Sequence, residues 1–455
     1  MAWSFQQHSG LLYPCAVAQF TDSLNIIIFK KTFPLDYRIL PPDGFLETRL
    51  SLPLSKSMSN RALIINALTS GAARLENVAE CDDTDAMREA LATPDADVIN
   101  IGAAGTTMRF LTAYFAAKEG SDLILDGSER MRQRPIKVLV EALRALGADI
   151  DYAGEEGFPP LRIRGRRLKG GELTLDSSVS SQYISALLMV APTMTEGLKL
   201  TFAGETVSRP YILMTLKMME DAGVESEFFD GVVTIRPQSY RPFDFKIEGD
   251  WSAAAAWYEI EAISSGAVTI DNLSCESCQG DRKLADIFTR LGVDTQWEGE
   301  EGGSDLIPSP DQDARLRVDF SDTPDLAQYV IVTCVMLGIP FHFTGLSTLA
   351  IKETDRVSAL KTELAKIGVF IQPEGNDVVS WEGQRRPIDA LPVFETYADH
   401  RMAMCLAPIS LFLPGIIIKD VEVVAKSYPG FWDALREAGF TLLDGDAPLP
   451  DPVEE

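Results

Sequence analysis

Basic residues stand at the start of several predicted helices, which is where a protein readily binds an anion. Residues 55–65 read Ser-Lys-Ser-Met-Ser-Asn-Arg followed by an apolar run, so Lys56 and Arg61 lie in its first turns. Serine caps helix ends, and the free N–H groups and the helix dipole there favour negative charge. Residues 102–109 repeat the design, because Gly105 lets a ligand approach the backbone and Arg109 follows one turn later. Both segments predict anion binding, although for residues 102–109 a glycine-rich turn that only joins two elements is the alternative.

Two further segments carry cations at predicted helix starts. Residues 352–356 read Lys-Glu-Thr-Asp-Arg and open a predicted helix over 357–367, on which Lys352 and Arg356 share a face beside Glu353. A solvent-exposed ladder of ion pairs is the alternative, and such ladders contribute little stability. Residues 399–404 read Asp-His-Arg-Met-Ala-Met and place His400 and Arg401 before another apolar run.

Residues 177–183 are uncharged but rich in hydrogen-bond donors. Ser180, Ser181 and Gln182 precede an apolar helix, and their hydroxyl and amide groups suit a hydroxylated or phosphorylated ligand. A serine-rich helix cap without a ligand is the alternative.

Three arginines occupy alternate positions between the segments at residues 102–109 and 177–183. If this segment is extended, Arg130, Arg132 and Arg134 point to one side, since side chains alternate along a strand. Three like charges on one face repel unless an anion neutralises them, and arginine suits paired hydrogen bonds to carboxylate or phosphate.

The overall charge of the chain runs against these basic motifs. The 455 residues carry a net charge of −26 at pH 7. Such acidity opposes nonspecific binding to nucleic acid and anionic membranes, and no long uninterrupted apolar run predicts a membrane span. A random distribution of surface charge would not collect cations in the motifs. We therefore expect a compact, multiply anionic small molecule as the ligand.

A repeated phrase predicts the elements that carry these motifs. A glycine followed by an apolar residue ends a predicted helix and starts a strand at positions 147, 223, 292, 368 and 439, so the copies lie about 70 residues apart. A sixth copy is expected near residues 75–95, where residues 87–91 lead into 97–99. Six α/β units of this length divide into two domains of three.

The two ends and the cysteines read differently. Residues 1–34 have no basic start before their apolar stretches, which disfavours a signal peptide and predicts an unstructured extension. Residues 446–455 form an acidic tail. Six scattered cysteines do not form a disulfide scaffold, and the Cys275 and Cys278 pair has no second pair to complete a metal site.

Taken together, the motifs resemble the EPSP synthase family of enolpyruvyl transferases. The matching segments are residues 55–61, 105–109, 134–135, 180–182, 352–356 and 399–404. The resemblance implies an α/β fold of two similar domains, each built from three βαβαββ-type repeats, with the active site in the interdomain cleft. It places the first domain at residues 54–248 and the second at 35–53 and 249–445.

The resemblance also implies roles for individual residues. Those expected to bind shikimate 3-phosphate are Lys56, Ser57, Arg61, Ser180, Ser181, Gln182, Ser208, Tyr211, Asp325, Thr348 and Lys352. Those expected to bind phosphoenolpyruvate are Lys56, Gly105, Arg134, Gln182, Arg356, His400 and Arg401. The expected catalytic residues are Asp325, Glu353 and Lys56.

The implied reaction is an addition followed by an elimination, which needs acid–base groups and anion clamps but no metal or other cofactor. We expect Lys352 and Arg356 to lower the pKa of Glu353 in the empty site, and bound phosphates to raise it again. Two basic half-sites facing a cleft also predict that anionic substrates draw the domains together. A cytoplasmic monomer without nucleic-acid or membrane partners is expected.

Three positions depart from the family pattern. Ala103 and Thr348 stand where the family usually has asparagine, and Glu422 stands where it often has a basic residue, although Lys426 follows four residues later. Two alternatives stay open beside the main interpretation. One is the related enolpyruvyl transferase that acts on UDP-N-acetylglucosamine, and the other is a catalytically impaired homologue that only binds anions.

Overall fold

The computed structural model of the protein describes residues 35–71, 75, 77–176, 180–204, 209–299 and 303–449. The predicted extension at residues 1–34, Ser208 and the end of the acidic tail lie outside the described residues. In the described part, no helix combines the length and apolar character needed to cross a membrane.

Helices account for much of the described chain, and many begin at the motifs identified above. In chain order they are α1 (Lys56–Leu68), α2 (Asp82–Ala92), α3 (Gly105–Ala117), α4 (Lys137–Ala145), α5 (Ser181–Val190), α6 (Arg209–Asp221), α7 (Trp251–Ser264), α8 (Lys283–Thr289), α9 (Ala327–Leu337), α10 (Arg356–Ala365), α11 (His400–Leu406) and α12 (Phe431–Glu437). Short 3₁₀ turns occur at Met131–Gln133, Ala191–Thr193, Gly280–Arg282, Pro324–Leu326, Ser347–Ile351, Ala407–Leu411 and Val421–Lys426.

The strands are short, mostly three to seven residues. They are β1 (Tyr37–Leu40), β2 (Glu47–Leu50), β3 (Val98–Asn100), β4 (Asp122–Asp126), β5 (Asp149–Tyr152), β6 (Leu161–Arg164), β7 (Gly171–Asp176), β8 (Leu198–Ala203), β9 (Ser226–Phe229), β10 (Val232–Ile235), β11 (Ala267–Ile270), β12 (Leu291–Trp297), β13 (Ser304–Gln312), β14 (Leu316–Asp319), β15 (Phe341–Thr344), β16 (Gln372–Glu374), β17 (Val378–Trp381), β18 (Val393–Phe394), β19 (Ile416–Ile418) and β20 (Thr441–Asp444).

Five four-stranded sheets in the described part share one topology. Their strand orders are β3-β4-β6-β5, β7-β8-β10-β9, β2-β11-β13-β12, β14-β15-β17-β16 and β18-β19-β1-β20. In each, the first two strands are parallel and the other two neighbouring pairs are antiparallel. This repetition confirms the α/β class and the repeated unit predicted from the sequence.

The five repeat glycines all occupy the same place in these units. Each has a left-handed backbone, with φ between 73° and 104°, which costs glycine little because it has no Cβ. Each lies at the start of the last strand of its sheet, namely β5, β9, β12, β16 or β20. The interpretation of the glycines as helix-to-strand turns is therefore confirmed.

The expected sixth copy is different, and the prediction of its position was wrong. Helix α2 is followed after residues 93–97 by β3, which is the first strand of its sheet and not the last. Five residues are too few to add a strand and its turn between α2 and β3. The described residues therefore contain five copies of the four-stranded sheet.

Two separate apolar cores lie on either side of the cleft. One contains buried side chains from Met58 to Ile247, and we call residues 54–248 the first half. The other contains Ile39 to Leu52 and Trp251 to Phe440, and we call residues 35–53 and 249–449 the second half. In the second half, α7 is rich in alanine and carries Trp251 and Trp257, both fully buried, so it is surrounded by other elements.

The chain passes between the halves twice, at two neighbouring segments. Leu54 and Gly249 form an antiparallel bridge, and the Ser55 N–H donates to the Glu248 carbonyl at 2.8 Å. The buried Gln279 side chain holds both segments, because it accepts from the Ser55 hydroxyl at 2.8 Å and donates to the Gly249 carbonyl at 2.8 Å. The two crossings therefore form one hinge-like junction.

Candidate active site

Helix N-termini from both halves point into the cleft between the cores. Helices α1, α3 and α5 come from the first half, and α7, α10 and α11 from the second. Side chains cap five of these ends by accepting backbone N–H groups, namely Ser55, Ser180, Asp250, Asp355 and Asp399. The remaining free N–H groups and the aligned dipoles favour an anion in the cleft.

Lys56 is the first residue of α1 and contacts a carboxylate. Its Nζ lies 3.2 Å from Oδ2 of Asp83, and both side chains are largely buried. Burial alone would lower the pKa of Lys56, but Asp83, with smaller contributions from Cys81 and Glu353, outweighs it and holds this pKa above its ordinary value. Lys56 is therefore a cation at neutral pH.

Arg61 is buried under the cleft without a carboxylate partner among the described residues. Its guanidinium donates to Thr215 Oγ1 at 2.7 Å, to the Ser57 carbonyl at 2.8 Å and to Ser185 Oγ at 3.0 Å. Burial lowers the pKa of Arg61 to about 10. Its hydrogen bonds are satisfied but its charge is not, so a bound anion nearby is favoured.

Gly105 and Arg134 lie against each other at the start of α3. A Cβ at Gly105 would stand 2.6 Å from Nη1 of Arg134, so glycine is what lets this arginine lie over the helix end. Arg109, buried one turn later, donates to the Gly105 carbonyl at 3.2 Å and to the Pro135 carbonyl at 3.2 Å. Burial, with the nearby Arg134 charge, lowers the pKa of Arg109 to about 10.

The prediction that Arg130, Arg132 and Arg134 share one face was wrong. Met131–Gln133 is a 3₁₀ turn, so the three side chains diverge. Arg132 pairs with Asp126 outside the cleft, with Nε to Oδ1 at 2.9 Å. Arg130 reaches across the cleft and donates to the Glu353 carbonyl at 3.2 Å, and Arg134 reaches the cleft itself.

Arg356 binds three carboxylates of the second half. Its Nε lies 2.7 Å from Oδ2 of Asp399, its Nη1 lies 2.8 Å from Oδ1 of Asp325, and its Nη2 lies 3.1 Å from Oε2 of Glu353. The arginine side chain is only 1% exposed. Arg356 thus holds Asp325 and Glu353, the two expected catalytic carboxylates, next to each other.

Asp325 and Glu353 are both held ionised by the cations around them. Burial opposes this, but Lys352, Arg401 and Arg356 together lower the pKa of Asp325 well below its ordinary value. For Glu353, burial is likewise outweighed, by Lys426, Arg356 and Arg134.

The expected lowering of the Glu353 pKa is therefore confirmed, but its expected cause is partly wrong. Lys352 pairs with Asp325 at 3.2 Å and not with Glu353. The predicted helix face is also wrong, because α10 begins at Arg356 and Lys352 has an extended backbone before it.

His400 and Arg401 enter the cleft from the start of α11. His400 is 2% exposed, and neither of its ring nitrogens has a hydrogen-bond partner among the described residues. Burial, together with the charges of Lys56 and Arg401, keeps the pKa of His400 far below its ordinary value, so the imidazole is neutral. Arg401 Nη2 lies 3.4 Å from Oδ2 of Asp325.

The donor-rich motif forms the start of α5 on the opposite wall. Ser180 caps the helix, and Gln182 Nε2 donates to Thr106 Oγ1 at 3.2 Å. Across the cleft, the Thr348 hydroxyl is buried without a hydrogen-bond partner in the described part of the chain.

Lys426 lies beside the cleft, in contact with Glu353, whereas Glu422 points away from it. Lys426 Nζ lies 2.8 Å from Oε1 of Glu353 and donates to the Ala103 carbonyl of the first half at 3.1 Å. The Glu422 carboxylate instead accepts from the exposed Leu35 N–H at 3.3 Å. Lys426 therefore places a cation beside Glu353, and the Glu422 carboxylate lies away from it.

The predicted site residues converge on this one cleft. The described residues that were predicted and that line it are Lys56, Ser57, Arg61, Gly105, Arg134, Ser180, Ser181, Gln182, Tyr211, Asp325, Thr348, Lys352, Glu353, Arg356, His400 and Arg401. Ser208 lies outside the described residues. Of the described side chains lining the cleft, seven are lysine or arginine and four are carboxylates, so the cleft carries positive charge inside an acidic protein.

Comparison with known proteins decides the family. The sequence profile of EPSP synthase (3-phosphoshikimate 1-carboxyvinyltransferase) matches residues 42–93 and 90–435. The chain belongs to the EPSP synthase family. A 3-phosphoshikimate 1-carboxyvinyltransferase of Bacteroides fragilis (strain YCH46) is 50% identical over 410 residues, covering 90% of this chain and 99% of the relative. The enzyme of the same name from Pasteurella multocida (strain Pm70) is 36% identical over 428 residues, covering 87% of this chain and 96% of its own.

The fold also matches solved structures of the EPSP synthase family. The structure of EPSP synthase from Acinetobacter baumannii superposes with a TM-score of 0.73 at 21% identity, covering 90% of this chain and 100% of that chain. At this identity the likeness shows the fold alone, which agrees with the repeated sheets described above.

Two carboxylates in this EPSP synthase family site were missed by the sequence reasoning. Asp250 follows a glycine and precedes the alanine-rich α7, which is a recognisable helix-cap pattern. Asp83 stands between Asp82 and Asp85 in an acidic first turn, and nothing local distinguishes it from those neighbours. Within the described residues, no group of three or more histidine, cysteine or acidic side chains could hold a metal ion.

Proposed function

We propose that this protein transfers the enolpyruvyl group of phosphoenolpyruvate to the 5-hydroxyl of shikimate 3-phosphate, releasing phosphate. The observation that carries the proposal is the meeting of basic helix starts from both halves around Asp325 and Glu353. Two phosphorylated carboxylic acids supply the charge that such a cleft lacks, and the carboxylates supply acid–base groups.

Shikimate 3-phosphate is proposed to bind along the first-half wall and reach Asp325 and Lys352 opposite. The first-half donors are at the starts of α1, α5 and α6, and Arg61 lies beneath them as a buried cation. Ser208 is included on the family resemblance alone. Thr348 offers its buried, unpartnered hydroxyl to the ring.

Phosphoenolpyruvate is proposed to bind where cations from both halves surround Glu353. Arg134 comes from the first half, and Arg356, Arg401 and Lys426 come from the second. Gly105, which lets Arg134 lie close to the start of α3, is part of the same proposed site. Lys56, Gln182 and the neutral His400 complete it. Lys426 is thus an addition to the residues predicted from the sequence.

The proposed chemistry is an addition followed by an elimination. In the addition, a proton joins the CH2 carbon of phosphoenolpyruvate, and the 5-oxygen of shikimate 3-phosphate bonds to the adjacent carbon while losing its own proton. In the elimination, the new methyl group loses a proton, the double bond re-forms and the phosphate departs with the electrons of its C–O bond. Protons gained and lost balance, so no oxidant or reductant is needed.

Acid–base roles follow from the neighbours of each group. We assign the proton exchanged at the CH2 carbon to Glu353, because it lies among the cations proposed to bind phosphoenolpyruvate. We assign the hydroxyl proton to Asp325, which pairs with Lys352 on the other side of Arg356. Bound phosphates draw the cations towards themselves, which raises the pKa of Glu353 and lets it carry a proton. Lys56 assists as a cation between the two ligands.

Phosphate release tests the proposal directly. The protein is incubated with phosphoenolpyruvate and shikimate 3-phosphate, and in parallel with phosphoenolpyruvate and UDP-N-acetylglucosamine. Phosphate and the enolpyruvyl product are expected only with the first pair. Release with the second pair would favour the related transferase, and no release at saturating ligands despite binding would favour an anion-binding homologue.

The domain boundaries and assembly stay proposals. The two apolar cores support domains at residues 54–248 and at 35–53 with 249–445. A cytoplasmic monomer without nucleic-acid partners remains a prediction from the sequence, and size-exclusion chromatography with light scattering tests the monomer.

A further inference from the structure

Asp83 is one of the four carboxylates that line the cleft, which is proposed to bind anionic substrates. It lies in the first turn of α2, is 3% exposed and lines the cleft. Its Oδ2 is 3.2 Å from Lys56 Nζ, while its Oδ1 is buried without a hydrogen-bond partner in the described part of the protein. Its carbonyl accepts from the Thr107 hydroxyl of α3 at 2.7 Å, which fixes this turn beside the start of α3. The carboxylate is therefore held at a defined position.

Asp83 forms the one ion pair of Lys56 in the described residues. Asp250 also approaches Lys56, but it accepts from the backbone N–H at 3.2 Å and not from the ammonium group. The other titratable or charged groups that act on Lys56 come from three places, namely Cys81 and Asp82 at the start of α2, Glu353 before α10, and His400 and Arg401 of α11. Asp83 is the nearest anion and the strongest in its effect on the ammonium group.

A carboxylate at this place carries a cost for substrate binding. Both proposed substrates are multiply anionic, and a like charge inside the same low-dielectric cleft repels them. A group that weakens binding in the ground state contributes to turnover only through another interaction. For Asp83, that interaction is its ion pair with Lys56.

We propose that Asp83 is a positioning residue for enolpyruvyl transfer, which aims the Lys56 ammonium group into the cleft and keeps it protonated. The inference rests on the proposed function, because it concerns how Lys56 acts during that reaction. Without Asp83, the burial of Lys56 and the charge of Arg401 would both favour the neutral amine.

Asp83→Asn is the variant that isolates this role, because asparagine keeps the shape and removes the charge. We expect kcat to fall about 10–100-fold and the basic limb of the pH profile to move down by about one to two pH units. The KM for phosphoenolpyruvate is expected to stay level or to fall, since a repelling charge has gone. A loss of structure alone would raise KM and lower the melting temperature without moving the limb.

Asp85→Asn is the matched control, because Asp85 lies on the same helix with its side chain 53% exposed and its ion pair is with Arg88 at 3.6 Å. It changes net charge by the same amount and is expected to leave the pH profile unchanged. Asp83→Glu, which keeps the charge, is expected to keep the basic limb near that of the wild type even if its kcat is lower.

An Asp83→Asn enzyme with wild-type kcat and an unmoved basic limb would overturn the inference. If that variant does not fold, a basic limb displaced in Asp83→Glu would overturn it instead. The wild-type protein distinguishes failure of the proposed function from failure of this inference. If the wild-type protein releases no phosphate, the proposed function is wrong. If it is active and Asp83→Asn behaves like the wild type, only the role of Asp83 is wrong. The same shift can be read without turnover from the pH dependence of shikimate 3-phosphate binding by calorimetry.

Discussion

Replacing Glu353 by glutamine removes one negative charge and one acid–base group while keeping the shape of the side chain. The Glu353 carboxylate contacts Lys426 at 2.8 Å, Arg356 at 3.1 Å and Arg134 at 3.9 Å. These cations hold the pKa of Glu353 well below its ordinary value. The Glu353 carboxylate can carry a proton only when another anion, such as a substrate phosphate, attracts the same cations.

The size of this effect can be worked from the distances. At an effective dielectric constant of about 20, one unit charge about 4 Å away contributes about 4 kcal/mol. A substrate phosphate that draws away one such cation removes an attraction of this size for the ionised carboxylate, and therefore raises the Glu353 pKa. The proton then becomes available only in the loaded enzyme. Loss of a positioned acid–base group of this kind costs about 10²–10⁴-fold in rate.

We expect Glu353→Gln to lower kcat by about 10²–10⁴-fold and to leave the KM for phosphoenolpyruvate level or lower. Steady-state phosphate release and calorimetric binding of both substrates measure the two effects separately. Glu422→Gln is the control, because this exposed carboxylate lies close in sequence to Lys426 but contacts Leu35 outside the cleft. Near-normal turnover by a Glu353→Gln enzyme that binds both substrates would refute the assignment.

Four further outcomes follow from the structure. Lys426→Met removes contacts to Glu353 and to a first-half carbonyl; at about 1.5–3 kcal/mol per charged hydrogen bond, the KM for phosphoenolpyruvate should rise about 10–100-fold in steady-state assays, and an unchanged KM would exclude Lys426 from binding. Gly105→Ala should displace Arg134 and raise the same KM about 10-fold with a smaller loss of kcat, so a loss confined to kcat would contradict it. Shikimate 3-phosphate should reduce the radius of gyration in small-angle scattering, and an unchanged value would count against closure of the cleft. Burial raises the pKa of Glu261 from 4.5 to about 7, so the folded state loses stability as pH rises through that range; Glu261→Gln should add about 2–3 kcal/mol at pH 8 and nothing at pH 5 in thermal unfolding, and equal shifts at both pH values would argue against this origin.

Local sequence rules predicted the repeated unit and the helix starts well. A glycine that ends a helix needs only its own left-handed backbone, so all five repeat glycines were found from the sequence. Capped N-termini are equally local, which is why the starts of α1, α5 and α11 were placed correctly. Both signals depend on neighbours a few residues away.

Predictions that needed long-range partners were less successful. The segment around Arg132 forms a 3₁₀ turn whose arginine pairs with Asp126, and alternation in the sequence cannot show that partner. Lys352 was assigned to Glu353 because the two are adjacent, whereas the fold brings it to Asp325. Asp83 meets Lys56 only through the packing of α2 on α1, so no spacing rule could have found the pair.

The two chain crossings lie side by side and give the halves a single hinge region. Gln279 binds both crossings, so we expect the predicted closure to be a rotation of the first half about Leu54 and Gly249. Because Lys56 is two residues from Leu54, we expect it to move little, whereas Arg130 and Arg134, which contact the segment around Glu353, should move with the first half. We therefore expect an arriving anion to meet Lys56 at nearly its final position, before the arginines close over it.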